Sequence, residues 1–258
     1  MKIFYSLLLA GTAVMAQQNP NDVALAENPV QQHDMVQQVT VAKKRTEHTV
    51  KPVMHQDNNR LYMSAINMQY AFLVQPDEDN IYLSTLTLPL MKAAFESEGH
   101  PGVFEKVGFN TLVKIELLEN QNNVPGSKIE GFEQLAIVTN EADAKEFSIK
   151  LDKEIALSHN GAFVQLTIVG KSDAEGVLAK YEPTTETYKD ANGNDRFYLD
   201  YCQPNFPLTS RSKGTLTYVK NPNRKVMEWE AINEPSLHAI KKYPDFNIGF
   251  GYTVVSYK

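Results

Sequence analysis

Phe147-Ser148-Ile149-Lys150-Leu151 decides the fold class. Apolar and polar residues alternate strictly along it, so an extended chain there is apolar on one side and wet on the other. That is what a half-buried β-strand requires. Val113-Lys114-Ile115-Glu116-Leu117 repeats the rule and points Lys114 and Glu116 toward water. Further strands are expected at Ile81–Leu90, Gln134–Thr139, Ala162–Val169, Arg196–Cys202, Thr215–Val219, Lys225–Ile232 and Asn247–Tyr257, with a less regular one over Tyr62–Val74. Helical periodicity is nearly absent. Lys92–Glu98 and Ser236–Tyr243 each have room for a turn or two of helix and no more. Asn123-Val124-Pro125-Gly126 supplies a Pro-Gly turn, and Asn192-Gly193 is a hairpin signal between two Tyr-bearing runs. Short strands separated by turn signals predict an all-β domain, an antiparallel β-sandwich of jelly-roll-like form. The absence of an internal repeat argues against a propeller or a solenoid.

Outward from these strands, the aromatic residues mark where the domain begins. Of the 25 Phe, Trp and Tyr, two lie in the first sixteen residues and none lies in 17–61. A stretch rich in Gln and Asn and without aromatics cannot bury enough apolar surface to offset the entropy lost on folding. Residues 17–60 therefore read as a disordered polar linker, and 61–258 as a single β-sandwich domain. Within the linker, Val36–Ala42 is β-prone and is followed by Lys43-Lys44-Arg45. It looks like the short VTV-type and TonB-box-like segments of bacterial envelope proteins, but a solvated linker is the better account of it.

Residues 1–16 read as an address. Lys2 is the positive end, Ile3–Ala16 is uncharged, and Val14 and Ala16 set small residues before a cleavage point that would leave Gln17 first. The run has the length of a signal-peptide core and falls short of the roughly 20 residues a membrane-spanning helix needs. The mature chain is expected to be exported and to reach the periplasm, the outer membrane or the extracellular space. In such a compartment the single Cys, Cys202, has no internal disulfide partner, and its strand-like surroundings point to burial.

Several segments in order carry a family resemblance. They are Ile81–Pro89 with its Leu88-Pro89 ending, Val113–Leu118, the Val124-Pro125-Gly126 turn, and Gly161-Ala162-Phe163-Val164-Gln165-Leu166. The series, over roughly residues 80–170, is similar to secreted Bacteroidetes-type envelope β-sandwich proteins associated with carboxypeptidase-regulatory-like domains. Position 168 departs from that pattern, being Ile where the family carries an aromatic. The resemblance implies a sandwich fold and an exported protein, and it brings no catalytic residues.

The motifs that could carry chemistry fare poorly. Asn233-Glu234-Pro235 matches a glycosidase signature, but that chemistry needs a second carboxylate about 5 Å away in a retaining enzyme. In the (β/α)-barrels that carry this motif it lies on a later strand, and only 23 residues follow Pro235. Ser210-Arg211-Ser212-Lys213 matches S-x-x-K, which works at a helix start and with a later K-T-G strand, whereas this segment reads as loop. Asp190–Asp195 has oxygen ligands at alternate positions, but Asp195 stands where a calcium loop needs Gly, so a hairpin turn explains it better. Asp77-Glu78-Asp79 reads as a solvated acidic turn. The six His residues (His33, His48, His55, His100, His159 and His238) form no H-x-H or H-E-x-x-H, so the sequence offers no metal site. There is no nucleotide-binding loop, no cofactor fingerprint, and a net charge of −6 argues against nucleic acid as a partner.

Aromatic residues leave one binding reading open. Tyr188, Tyr198, Tyr201 and Trp229 flank the Asn192-Gly193 hairpin and the strands after it, and Tyr198 and Asp200 share one face of their strand. Tyr188, Tyr198 and Asp200 are thus candidate ligand contacts, since Tyr combines apolar area with a polar tip. Trp229 alternates with Met227 and Ala231 and is expected in the core. The function expected is a non-catalytic envelope or extracellular module that binds a protein or a polysaccharide. A carbohydrate-binding module is the first alternative, and an extracellular hydrolase or lyase the second.

Overall fold

A computed structural model describes residues 44–55, 61–91, 94–97, 100–106, 108–140, 144–180, 187–189, 195–197, 201–211, 216–221, 228–232 and 246–258. Every regular element among them is a strand: β1 (Arg45–Val50), β2 (Leu61–Ala65), β3 (Gln69–Val74), β4 (Ile81–Pro89), β5 (Ala94–Ser97), β6 (His100–Lys106), β7 (Asn110–Gln121), β8 (Val124–Thr139), β9 (Glu146–Ala156), β10 (Ala162–Lys171), β11 (Thr187–Lys189), β12 (Asp195–Phe197), β13 (Tyr201–Thr209), β14 (Thr217–Lys220), β15 (Glu230–Ala231), β16 (Asn247–Ile248) and β17 (Gly251–Tyr257). The protein is all-β and antiparallel. Among the described residues no helix is long and apolar enough to cross a membrane.

Two sheets make the sandwich, one in the order β1-β17-β4-β9 and one in the order β15-β14-β3-β10-β7-β8. The chain passes from sheet to sheet between β3, β4 and β7 and again between β8, β9 and β10, the crossing habit of a jelly roll. Alternation fills the space between the sheets. Tyr70, Phe72 and Val74 from β3 and Val164, Leu166 and Ile168 from β10 meet Leu83, Leu86 and Leu88 from β4 in one core. Burying each such side chain contributes about 1.5–3 kcal/mol.

A smaller sheet, β16-β13-β2, feeds Phe206, Leu208 and Ile248 into the same core. There Phe250 stacks on Phe72 at 4.5 Å, and Phe206 meets the edges of Tyr70 at 5.0 Å and Phe250 at 5.2 Å. Gln134 closes the gap between the sheets. Its Nε2 donates to Lys150 O on β9 at 3.0 Å, and its Oε1 accepts from Asp152 N at 3.0 Å, so one side-chain amide stands in for a missing rung.

The fold corrects several expectations. β1 lies inside 17–60, so the compact unit, Ala42–Lys258, takes in residues on the linker side of the expected boundary at 61. β1 has no aromatic residue and is almost wholly exposed; it is held by its backbone ladder to β17, which composition cannot reveal. Lys92–Glu98 is not helical at its described positions, because Ala94–Ser97 is β5 and pairs with β6. The β7–β8 turn is Asn122-Asn123, both with positive φ (55° and 66°), while Pro125 and Gly126 already belong to β8. A two-residue hairpin turn of the primed type needs positive φ at both positions, and Asn accepts it.

The strand expected at Arg196–Cys202 falls in two ladders, β12 and β13, and β13 runs on through Pro204 and Pro207 to Thr209. Its ladder to β2 is irregular between Cys202 and Phe206, where an imino acid costs no rung. Asn247–Tyr257 is likewise two strands, and Tyr62–Val74 is β2 and β3 joined at Ile66-Asn67. Residues 1–16, Val36–Ala42, Asn233–Pro235 and Ser236–Tyr243 lie outside the described residues.

Candidate functional site

Four strand ends converge at one end of the sandwich. Asn110 opens β7 and pairs with Thr139, the last residue of β8. Asn140 follows, its backbone N donating to Phe109 O at 3.2 Å and its Nδ2 to Ala144 O at 2.7 Å, which folds the chain back toward β9. Leu90 N donates to Lys145 O at 2.7 Å and ties this return to the end of β4. Phe147 is the second residue of β9.

Beyond β10, Ser172 N donates to Asn110 O at 3.0 Å. Asp173 Oδ1 then accepts from Glu175 N at 3.0 Å and Val177 N at 2.8 Å, a side chain imitating a turn. That turn fixes Ala174 against the other strand ends.

These residues enclose an open cleft of about 540 Å³ lined by Asn110, Ile137, Thr139, Asn140, Ala144, Phe147 and Ala174. The volume falls within the range of small-molecule sites. No charged side chain is among the seven. Two buried polar atoms in the lining residues, Thr139 Oγ1 and Asn140 Oδ1, have no hydrogen-bond partner among the described residues; nor does Ser172 Oγ, whose residue is not part of the lining. A buried polar atom left unpaired costs about 1–3 kcal/mol. Asn140 is only 3% exposed, so its unpaired oxygen is buried and not open to solvent.

None of the three sequence candidates is among the described lining residues. Tyr188 lies on β11, opposite Arg196 in the β11–β12 ladder, which flanks the connection containing Asn192-Gly193. Tyr198 and Asp200 lie outside the described residues. The cleft itself escaped sequence reasoning because its residues are scattered from 110 to 174 and have no common spacing. The only local signal was the Asn, Thr and Ser at strand ends, which ordinary turns also produce.

A second feature occupies the outer face of the six-stranded sheet. Ala71, Leu73, Leu118 and Phe163 form a separate buried cluster, with Leu216, Tyr218 and Trp229 packed against it. Trp229 is therefore only half-buried, and it lies on this outer face, not in the core between the sheets; Lys220 Nζ stands 4.8 Å from its ring centroid. Tyr218 meets Phe163 edge-on at 5.7 Å and donates its hydroxyl to Asn123 O at 2.8 Å.

Glu116, expected to face water, is also on this face but buried. Its carboxylate accepts from Lys128 Nζ at 2.6 Å, Lys114 Nζ at 2.9 Å and Gln165 Nε2 at 3.0 Å. Burial pushes the Glu116 carboxyl up, and the hydrogen bonds from Lys128 and Lys114 outweigh it, so the net shift is downward.

Other sequence candidates gather no chemistry. Cys202 is buried, and that burial pushes its thiol up, so it stays protonated and is a poor nucleophile. The Asp77–Asp79 turn is exposed; Asp79 faces His159 at 3.6 Å and Glu78 faces Lys258 at 3.7 Å. Among the described residues no three His, Cys, Asp or Glu stand together as a metal set.

Fold and cleft together give an antiparallel β-sandwich with an open cleft at one end, whose described lining residues carry no charge. Comparison with known proteins finds no matching family, no matching curated protein and no matching solved structure.

Proposed function

We propose that the chain is an exported, non-catalytic binding module of the cell envelope or extracellular space, and that the end cleft receives its ligand. Export rests on the uncharged run Ile3–Ala16 behind Lys2 and on the small residues Val14 and Ala16. Binding rests on one observation above all: the ends of β7, β8 and β9 and the turn after β10 wall an open cleft of about 540 Å³, within the range of small-molecule sites. Among the described lining residues there is no titratable group to act as acid, base or nucleophile, which favours binding over turnover. An envelope polysaccharide or protein fits such a role.

Nuclear magnetic resonance titration of the leader-cleaved chain tests this reading, with glucose, N-acetylglucosamine, N-acetylalanine amide and adenosine as probes. At least one of these neutral compounds is expected to shift the amide signals of Asn140, Ala144, Phe147 and Ala174. Ala174→Trp, which fills the cleft from an exposed position, is expected to abolish those shifts. If no probe moves these signals, the cleft is not a binding site and the proposal fails. Sequencing of the exported protein from the N-terminus, expected to begin at Gln17, checks the address separately.

A further inference from the structure

We infer that residues 44–53 are an exchangeable arm, and that the edge of β17 takes the same segment from a second copy of this chain, joining two copies by reciprocal strand exchange. Three observations lead there. The first is how the arm is held. β1 lies along β17 over six residue pairs, and all of its side chains but Val50 are exposed. Neither apolar cluster among the described residues contains a residue of 44–55. The arm therefore leaves its seat by breaking ladder bonds and polar contacts, and the core between the sheets stays whole.

The second is that the seat is shaped for this segment. The register that sets Val50 opposite Tyr252 carries on to Val53 opposite Gly249, where Val53 N donates to Gly249 O at 2.8 Å. Between these points the backbones run close. A Cβ on Gly249 would stand 2.5 Å from Val53 Cβ, and one on Gly251 would stand 2.6 Å from Pro52 N. Thr49 and Thr253 join hydroxyls at 2.9 Å, and Arg45 reaches Glu154 at 3.1 Å, whose carboxylate also accepts from the Tyr257 hydroxyl. An arbitrary extended peptide supplies the ladder alone. A second copy of the chain supplies every one of these contacts.

The third is connectivity. β1 is the first strand among the described residues, and the arm joins the rest of the sandwich through the connection from residue 53 to β2. The contacts of the seat are the same whether the arm comes from its own chain or from another, so exchange alters only the path of that connection. Under that condition an exchanged element joins two copies at low cost, to an extent that rises with concentration.

Cross-linking between two leader-cleaved variants tests the exchange. One chain carries Thr49→Cys and the other Thr253→Cys, so a disulfide between these positions forms only between chains. Cys202 is buried and stays out of the reaction. Lys44 and Lys258 exchange both backbone bonds, at 2.7 and 3.1 Å, which by alternation makes Thr49 and Thr253 a non-hydrogen-bonded pair. Such a pair sets its Cα atoms about 4.5 Å apart, within reach of a disulfide. The two chains are mixed at rising concentration and oxidised with diamide, and the linked peptides are identified by mass spectrometry. A link between positions 49 and 253 is expected, growing with concentration and well above the link from position 49 to Glu130→Cys. Glu130 is exposed on β8, and its variant measures chance collision.

The same alternation turns the His48 N–H toward β17 and the Glu47 N–H away from it. Added to the Thr49→Cys chain, His48→Pro deletes a ladder bond and is expected to lower the yield about tenfold. Glu47→Pro deletes an N–H outside the ladder and is expected to lower it much less. A yield no higher than the collision control overturns the inference, because the arm then stays on its own chain. A yield that His48→Pro leaves unchanged also overturns it, since the link then reports encounter and not docking.

Discussion

Glu116 holds Lys114, Lys128 and Gln165 together on the outer sheet face while exposing only 5% of its own surface. An ion pair in water contributes little, but a buried carboxylate whose partners are removed is costly. Here the partners are half-exposed lysines that can turn to water, so neutralising the carboxyl should fall well short of that extreme. Glu116→Gln is expected to lower stability at pH 7 by about 1–2 kcal/mol, since the amide oxygen still accepts from Gln165.

The pH dependence carries the sharper signature. The folded Glu116 carboxyl titrates below its ordinary value of 4.5, so its ionised form favours the folded state. That stabilisation is complete above pH about 4.5 and is lost as pH falls through the lower folded value. Urea unfolding of the two proteins between pH 3 and 7 should therefore show their difference narrowing toward the acid end. A gap that stays constant or widens in acid would show that Glu116 is not held in its charged form.

Strand junctions show how a single backbone position sets an element. Gly161 enters β10 with φ +72°, and a Cβ placed there would stand 2.4 Å from Val74 O. Gly131, within β8, has φ +89° but open space around the same position. Gly131→Ala is expected to cost about 1–2 kcal/mol, the left-handed conformation alone. Gly161→Ala should cost clearly more, because β3 must also move aside, and urea midpoints compare the two directly. Equal costs would mean that the β3–β10 contact yields freely.

The elements also explain which parts of the fold were legible in the sequence. Strict alternation at Val113–Leu117 and Phe147–Leu151 finds β7 and β9 because one face of each is wet. It says nothing about β1, which buries no face, and misplaces the turn before β8, where two Asn residues do what Pro-Gly was expected to do. Period two assigns Trp229 and Glu116 to opposite fates, core and water, yet both lie on the outer sheet face, which is itself partly buried. Parity along a strand tells which residues share a face, but not what each face meets. The cleft was illegible for a related reason: Asn110, Thr139, Asn140 and Phe147 come together only when β7, β8 and β9 align their ends.

At the scale of the whole molecule, β1 poses a question of edges. It is the outermost strand of its sheet, and nearly all of its side chains are exposed, so it brings almost no apolar burial. What it does bring is a ladder of six residue pairs along β17, from Arg45↔Tyr257 to Val50↔Tyr252, reinforced by Arg45 on Glu154 at 3.1 Å and Thr49 on Thr253 at 2.9 Å. Its effect is therefore to cover the β17 edge more than to stabilise the core. Its own outer rim carries Arg45, Glu47 and His48, charged or polar side chains that discourage further pairing.

Removing residues 1–50 should leave a folded sandwich, since Val53 still bridges to Gly249 and the core residues are untouched. The loss in Tm is expected to be modest, about 2–8 °C for a domain of this size. The larger consequence is an open β17 edge flanked by Val254 and Val255, a template for a second chain. Size-exclusion chromatography with light scattering should show the shortened protein self-associating with rising concentration, beyond any association of the full-length chain. If it matches the full-length chain in both Tm and mass, β1 is neither a stabilising strand nor a guard of the edge.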